Sequence, residues 1–336
     1  MTTGFLAAQE FSPGTWAEEV VCRTDPEQRY ALYLPPGYSP ERSWPTLVVL
    51  DARGRALEAA KRFEPAAERF GWIVASSYGT ESDSTWEPNR RALAAMLPDL
   101  ESRVSLDLRR QVFAGFSGTA RIVWAMAVDA PGMIDGVIAA SGGTPDTRPP
   151  DEAVPVPVFL TAGERDFNLL ELRRISRALE DTDSVFRLET FDGIHQWMPE
   201  DLATEALAWM ELQAMRQRLR SVDESLVSEL LEERLAAARG HAEAQRPLEA
   251  LAEYRSALRD FEDLVSQEVL APVRDAARKL EKSPELRHAR KQRNLLEDQE
   301  TAFGRRLNRA LHRLRTEATP PPADKLASEL DLSKLE

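Results

Sequence analysis

Between residue 16 and about residue 210, short apolar runs alternate with longer stretches in which apolar positions recur every three or four residues. The short runs predict strands at 16–23, 29–34, 46–50, 72–76, 111–114, 136–140, 157–161 and 184–190. The longer stretches predict helices, among them 57–70, 90–104 and 120–129. The first two strands read as an antiparallel pair turned by Asp25-Pro26. Several later runs are apolar at nearly every position, which suits strands covered on both faces. The pattern therefore predicts an α/β protein with an eight-stranded, mostly parallel sheet and helices on both faces.

After about residue 210 the pattern changes to Leu, Ala, Glu and Arg with almost no turn residues. Helices are predicted, with breaks near Ser221, Arg246-Pro247 and Ser283-Pro284. Leu226, Leu230 and Leu235 mark one apolar stripe, and Leu251, Tyr254, Leu258 and Phe261 a second. Phe303, Leu307, Leu311 and Leu314 mark a third. Fourteen of the 16 glycines and all seven tryptophans precede residue 210, which places the change of architecture near Arg220 to Asp223. The expected organisation is an N-terminal segment at 1–15, a sheet domain at 16–220, a helical module at 221–315 and a disordered tail at 316–336 containing Pro320-Pro321-Pro322.

Composition narrows the classes of function. A chain of 336 residues that is 43% hydrophobic can bury a substantial core. Its net charge of −13 argues against nucleic acid or an anionic membrane as the main partner. No run of 18 apolar residues is present, so no integral membrane segment is expected. The single cysteine, Cys22, rules out an intramolecular disulfide and the common cysteine-based zinc frameworks, and no cofactor or metal is expected. The first ten residues lack a basic region before their short apolar run, which predicts a cytoplasmic protein. The alternative is an exported protein, with Phe5-Leu6-Ala7-Ala8 as the stump of a leader.

The candidate chemistry begins at Gly115-Phe116-Ser117-Gly118-Thr119, directly after the run at 111–114 and before a helical stretch. A serine on a sharp strand-to-helix turn projects its hydroxyl above the sheet edge, and small neighbours let the chain bend so tightly. The helix start behind it favours the negative charge that develops during nucleophilic attack. A serine hydroxyl needs a base, and His195 is the one histidine in the first 240 residues. It follows the last predicted strand, in Phe191-Asp192-Gly193-Ile194-His195-Gln196-Trp197. His241, His288 and His312 fall on charged helices and read as solvated. Asp166, just after the seventh strand, is the expected carboxylate partner; Glu164 competes, and Asp192 is too close to His195 in sequence to be favoured.

The order Ser117, Asp166, His195 is that of the α/β-hydrolases. Residues 16 to 215 resemble that family, near the feruloyl esterase, polyhydroxybutyrate depolymerase and dienelactone hydrolase types. Tyr33-Leu34-Pro35-Pro36-Gly37-Tyr38, followed by the run from Trp44 to Leu50, resembles the entry to their third strand, and Gly193 to Trp197 resembles their histidine loop. Two positions depart from the family pattern. Thr119 replaces the second glycine of the elbow, and Asp51-Ala52-Arg53-Gly54 replaces the usual His-Gly pair. The resemblance implies a backbone N–H from this segment at the oxyanion, from either Ala52 or Arg53, with Gly118 as the other donor.

The loop after the fourth strand, from Tyr78 to Asn89, adds Tyr78 and Trp86 as candidate pocket residues, with Trp197 opposite. The leading expectation is a serine hydrolase that cleaves small carboxylic esters through an acyl-enzyme. A peptidase acting on short peptides is one alternative; a degraded hydrolase scaffold that presents the helices to a protein is another. Ala250, Tyr254, Ala257 and Leu258 resemble the second helix of a tetratricopeptide unit, so the helices are expected either to pack or to contact a protein partner or a second copy. The basic stretch 287–293 is faced by Glu297, Asp298 and Glu300 and reads as a solvated helix face.

Overall fold

A computed structural model describes residues 11–82, 85–130, 132–316 and 322–330. The chain divides into two compact units, residues 1–227 and 228–336. The first is built on eight strands: β1 (Trp16–Val21), β2 (Arg29–Tyr33), β3 (Trp44–Leu50), β4 (Ile73–Ser77), β5 (Leu106–Phe116), β6 (Gly136–Ala140), β7 (Val158–Gly163) and β8 (Phe186–Phe191). They form one sheet in the order β1-β2-β4-β3-β5-β6-β7-β8, the eight-stranded, mostly parallel sheet that the sequence predicts. β1 pairs with β2, and β2 with β4, antiparallel; every other neighbour pair is parallel. Each crossover therefore returns every later strand's C-terminal end to one edge of the sheet, where ligands bind in open sheets of this kind.

Alternation along the strands explains the continuous apolar runs. In β3, Val48 and Leu50 point into one core cluster while Leu47 and Val49 point into another. The first cluster is closed by α3 (Glu87–Glu101), α4 (Gly118–Asp129) and α5 (Leu169–Glu180). The second is closed by α1 (Ala56–Lys61), α2 (Glu64–Phe70) and α6 (Glu200–Arg216). A strand buried on both faces has no polar face to show, so its period-two signal is lost.

The differences from expectation have local causes. The helix predicted at 57–70 is two helices, because Pro65 sits in the first turn of α2 and starts it afresh. β1 stops at Val21 rather than residue 23, and β5 reaches from Leu106 to Phe116, well beyond 111–114. The first unit extends past Arg220 to Val227. Arg220 turns back to pair with the fully buried Glu211, and its N–H bonds the carbonyl of Ala214.

The second unit contains the rest of α7 (Glu224–Glu243), then α8 (Pro247–Phe261), α9 (Gln267–Glu281), α10 (Pro284–Thr316) and α11 (Ala323–Leu330). The three predicted breaks are present, and a fourth, at 262–266, was not signalled by Gly or Pro. Leu251, Ala277 and Leu286 form a small core joined by Tyr254 and Leu258. The third predicted stripe is only partly covered: Phe303 and Leu307 are half-buried, whereas Leu311 and Leu314 are exposed. The tail expected to be disordered contains α11, which Glu329 ties to Arg313 of α10 at 2.9 Å. Residues 5–8, read as a leader stump, and residues 320–321 of the proline run lie outside the described residues. Among the described residues, no helix is long and apolar enough to cross a membrane.

Candidate active site

β5 ends at the sheet edge and the chain turns at once into α4. Ser117, the residue at the turn, has φ 56 and ψ −119, a conformation that costs a non-glycine residue about 1–3 kcal/mol. The bend requires two close approaches. A Cβ on Gly115 would lie 2.4 Å from the carbonyl oxygen of Thr119, and one on Gly142 would lie 2.2 Å from that of Ser117. Ser117 N–H is anchored on Ala140 O at 2.8 Å.

Thr119, the residue that departs from the elbow pattern, is fully buried and fits by hydrogen bonding. Its hydroxyl accepts the N–H of Phe116 at 3.0 Å and donates to Leu50 O at 2.5 Å. The side chain thus pins the elbow to the end of β3, something a glycine cannot do.

The structure brings Ser117, Asp166 and His195 together from the ends of β5, β7 and β8. His195 Nε2 lies 2.9 Å from Ser117 Oγ, and Nδ1 lies 3.0 and 3.1 Å from the two Asp166 oxygens. The Asp166 side chain is shielded from solvent and accepts the N–H of Asn168 at 2.8 Å. Asn168 in turn donates from Nδ2 to Ser141 O at 2.8 Å, and Ser141 Oγ donates to Gln196 O in the histidine loop. Glu164 and Asp192 are both exposed, and Asp192 pairs with Arg165 at 2.6 Å. Of the three candidate carboxylates, Asp166 alone reaches the imidazole.

Of the two candidate oxyanion donors after β3, the structure removes one. Arg53 N–H is held by Asp51 Oδ1 at 2.9 Å, so it is not available to a substrate. Among the described residues Ala52 N–H has no such acceptor, and its carbonyl receives Ser82 N–H at 2.9 Å. Ser82 also packs over Gly118, 2.4 Å from where a Gly118 Cβ would lie. Gly118 N–H opens α4, where first-turn N–H groups have no intrahelical acceptor.

The three expected pocket residues lie in different places. Trp197 is buried beneath the site, stacked on Phe116 at 5.6 Å, with its indole N–H on Asp51. Trp86 is half-exposed at the end of an apolar groove of about 740 Å³ between α3 and α4. Tyr78 lines a polar recess of about 380 Å³ with Ala52, Arg53 and Glu81, and its hydroxyl donates to Glu18 O at 2.8 Å. Two features escaped the sequence reading. Phe167 is 76% exposed, and its ring lies 4.2 Å from that of His195, capping the imidazole. Asp51 is fully buried beside the site. In the sequence, a phenylalanine directly after the expected acid was the signal for the first.

No family model matches the chain, and no curated protein matches it. Solved structures similar to it include a ferulic acid esterase, at 15% identity and a TM-score of 0.49 over 60% of this chain and 98% of that one. A fluorophosphonate-binding serine hydrolase of Staphylococcus aureus is similar at 14% identity and a TM-score of 0.47, over 59% and 99%. A dipeptidyl peptidase 4 of Porphyromonas gingivalis is similar at 14% identity and a TM-score of 0.43, over 60% of this chain and 36% of that one. At these scores the likenesses add nothing to the strand order and distances above.

Proposed function

We propose that the chain is a serine hydrolase that cleaves small carboxylic esters. The observation that carries this reading is the unbroken line from Asp166 through His195 to a serine on a strained elbow, with separations of 3.0 and 2.9 Å. Ser117 Oγ attacks the ester carbonyl carbon while His195 Nε2 takes its proton. Gly118 and Ala52 N–H groups receive the oxyanion, a contact that strengthens as charge develops. The carbonyl re-forms, the C–O bond breaks, and His195 returns the proton to the leaving alkoxide. Water then attacks the acyl-enzyme, giving its proton to His195, and Ser117 leaves with that proton as the acid departs. Asp166 holds Nδ1–H throughout and stabilises the imidazolium.

The test is turnover of p-nitrophenyl acetate by the full chain and by Ser117→Ala. Saturable hydrolysis that the substitution lowers by about three orders of magnitude or more supports the reading. Equal rates in both proteins, or none in either, contradict it.

A further inference from the structure

The triad leaves a fully buried carboxylate unused. Asp51 Oδ1 accepts the N–H groups of Arg53 and Arg55 at 2.9 and 3.1 Å and Arg55 Nε at 3.2 Å. Oδ2 accepts Arg55 Nη2 at 3.2 Å and the indole N–H of Trp197 at 2.8 Å. Five donors therefore converge on one carboxylate. They come from two segments far apart in the chain, and each carries a part of the proposed reaction. The turn from Asp51 to Arg55 contains Ala52. The loop ending at Trp197 contains His195, two residues earlier.

The link continues by ring packing. Trp197 stacks on Phe116, whose ring lies 4.9 Å from that of His195 and whose neighbour is Ser117. Charge is also accommodated. An unpaired carboxylate beside an oxyanion would oppose the reaction, but Arg55 sits against both Asp51 oxygens and neutralises it. Burial raises the Asp51 pKa, but the bonds from Arg55, Trp197 and the two N–H groups outweigh it and hold the carboxyl below its usual range. It stays ionised and acceptor-only, which is what five donors require.

We propose that Asp51 is a positioning residue that locks the oxyanion turn to the histidine loop, so that Ala52 N–H meets the carbonyl oxygen of the ester that Ser117, held by His195, attacks. The inference rests on the serine-hydrolase reading above. It also accounts for the Asp51-Ala52-Arg53-Gly54 segment: Asp51 takes the Arg53 N–H for itself and leaves that of Ala52 for the oxyanion.

The test uses the full chain with Asp51→Asn, which keeps the size but puts an NH₂ where only acceptors fit. Trp197→Phe is the second variant; it keeps the ring against Phe116 and removes the indole donor. Rates are referred to active sites titrated by the nitrophenolate burst, so unfolded protein does not enter. Asp51→Asn is expected to lower kcat by about 10–100-fold with KM within about twofold, because an oxyanion contact matters most in the transition state. Affinity for a trifluoromethyl ketone, which forms a tetrahedral oxyanion on Ser117, is expected to fall by the same factor. Trp197→Phe is expected to lower kcat by about 3–10-fold, and the double variant to lose little more than Asp51→Asn alone, since both break one link. Unchanged kcat per titrated site in both variants, with only a lower melting temperature, would overturn the proposal and leave the hydrolase reading intact. No turnover in the unaltered protein removes both.

Discussion

The two units spend their apolar residues differently. In residues 1–227, two large clusters lie against opposite faces of the sheet, and the inner strands β3, β4, β6 and β7 are buried along their whole length. In residues 228–336, the buried apolar side chains are fewer; Phe261, Leu270 and Val273 are among them, and one small cluster joins Leu251, Ala277 and Leu286. Helix α10 has 33 residues and is about 50 Å long, yet it buries only Leu286, Glu297 and Ala310. Leu295 and Leu296 are 58% and 59% exposed on it. Hydrogen bonds near 3 Å between three loops need a frame that does not give, and the first unit has that frame. The second unit, described by itself, shows no comparable convergence of reactive side chains among the described residues. The proposed chemistry therefore belongs to the first unit.

The sharpest way to break that assignment is to change its carboxylate. Asp166→Asn is expected to lower kcat by about 10³–10⁴-fold, since it disturbs the tautomer and orientation of His195. Glu164→Gln, two residues away and exposed, is expected to change it less than twofold. Steady-state kinetics on one activated ester checks both. A larger loss from Glu164→Gln would mean that the wrong carboxylate has been assigned.

The next effect concerns the frame. Thr119→Val removes a buried hydroxyl that serves Phe116 N–H and Leu50 O, leaving polar groups without a partner. A loss of about 1–3 kcal/mol in unfolding free energy is expected, read from urea denaturation of the full chain. An unchanged midpoint would show that the elbow needs no pin.

A smaller effect comes from Cys22 in the core. Burial, then the charge of Asp99, pushes its thiol up to about 11 from 9.0, with Arg103 opposing. The neutral thiol favours the folded state below pH 9, and that contribution is lost as pH rises from 9 toward 11. Between pH 8 and 10.5 the protein is expected to lose about 1–2 kcal/mol more stability than Cys22→Ala does. Parallel loss in both proteins would contradict this.

The smallest expected effect tests the division itself. A chain ending at Val227 keeps all eight strands, both core clusters and Ser117, Asp166 and His195. Its kcat/KM on p-nitrophenyl acetate is expected to stay within about threefold of the full chain. A folded but inactive truncation would show that the helices contribute to the reaction.

The legible and illegible parts of the site have different physical origins. Strands buried on both faces are apolar throughout, and a serine elbow needs small residues at fixed offsets, so both stand out locally. Ser117 and Asp166 follow two such strands and His195 follows the half-buried β8, so their order in the chain was readable. The Asp51–Trp197 contact joins residues 146 positions apart and leaves no local pattern. Trp197 was expected opposite the loop from Tyr78 to Asn89; its indole N–H bonds the buried Asp51. Thr119 read as a flaw in the elbow because its partner, Leu50 O, belongs to another strand. The break at 262–266 carries no Gly or Pro, so helix propensity ran through it.

The central claim is that Ser117 is an activated nucleophile. Its most direct test is reaction of the full chain with a fluorophosphonate, read by intact mass and by mapping the modified peptide. The account predicts one adduct per chain, on Ser117, formed rapidly by the unaltered protein and slowed by about three orders of magnitude in His195→Ala. No adduct, or an adduct on another residue that Ser117→Ala leaves in place, would contradict it.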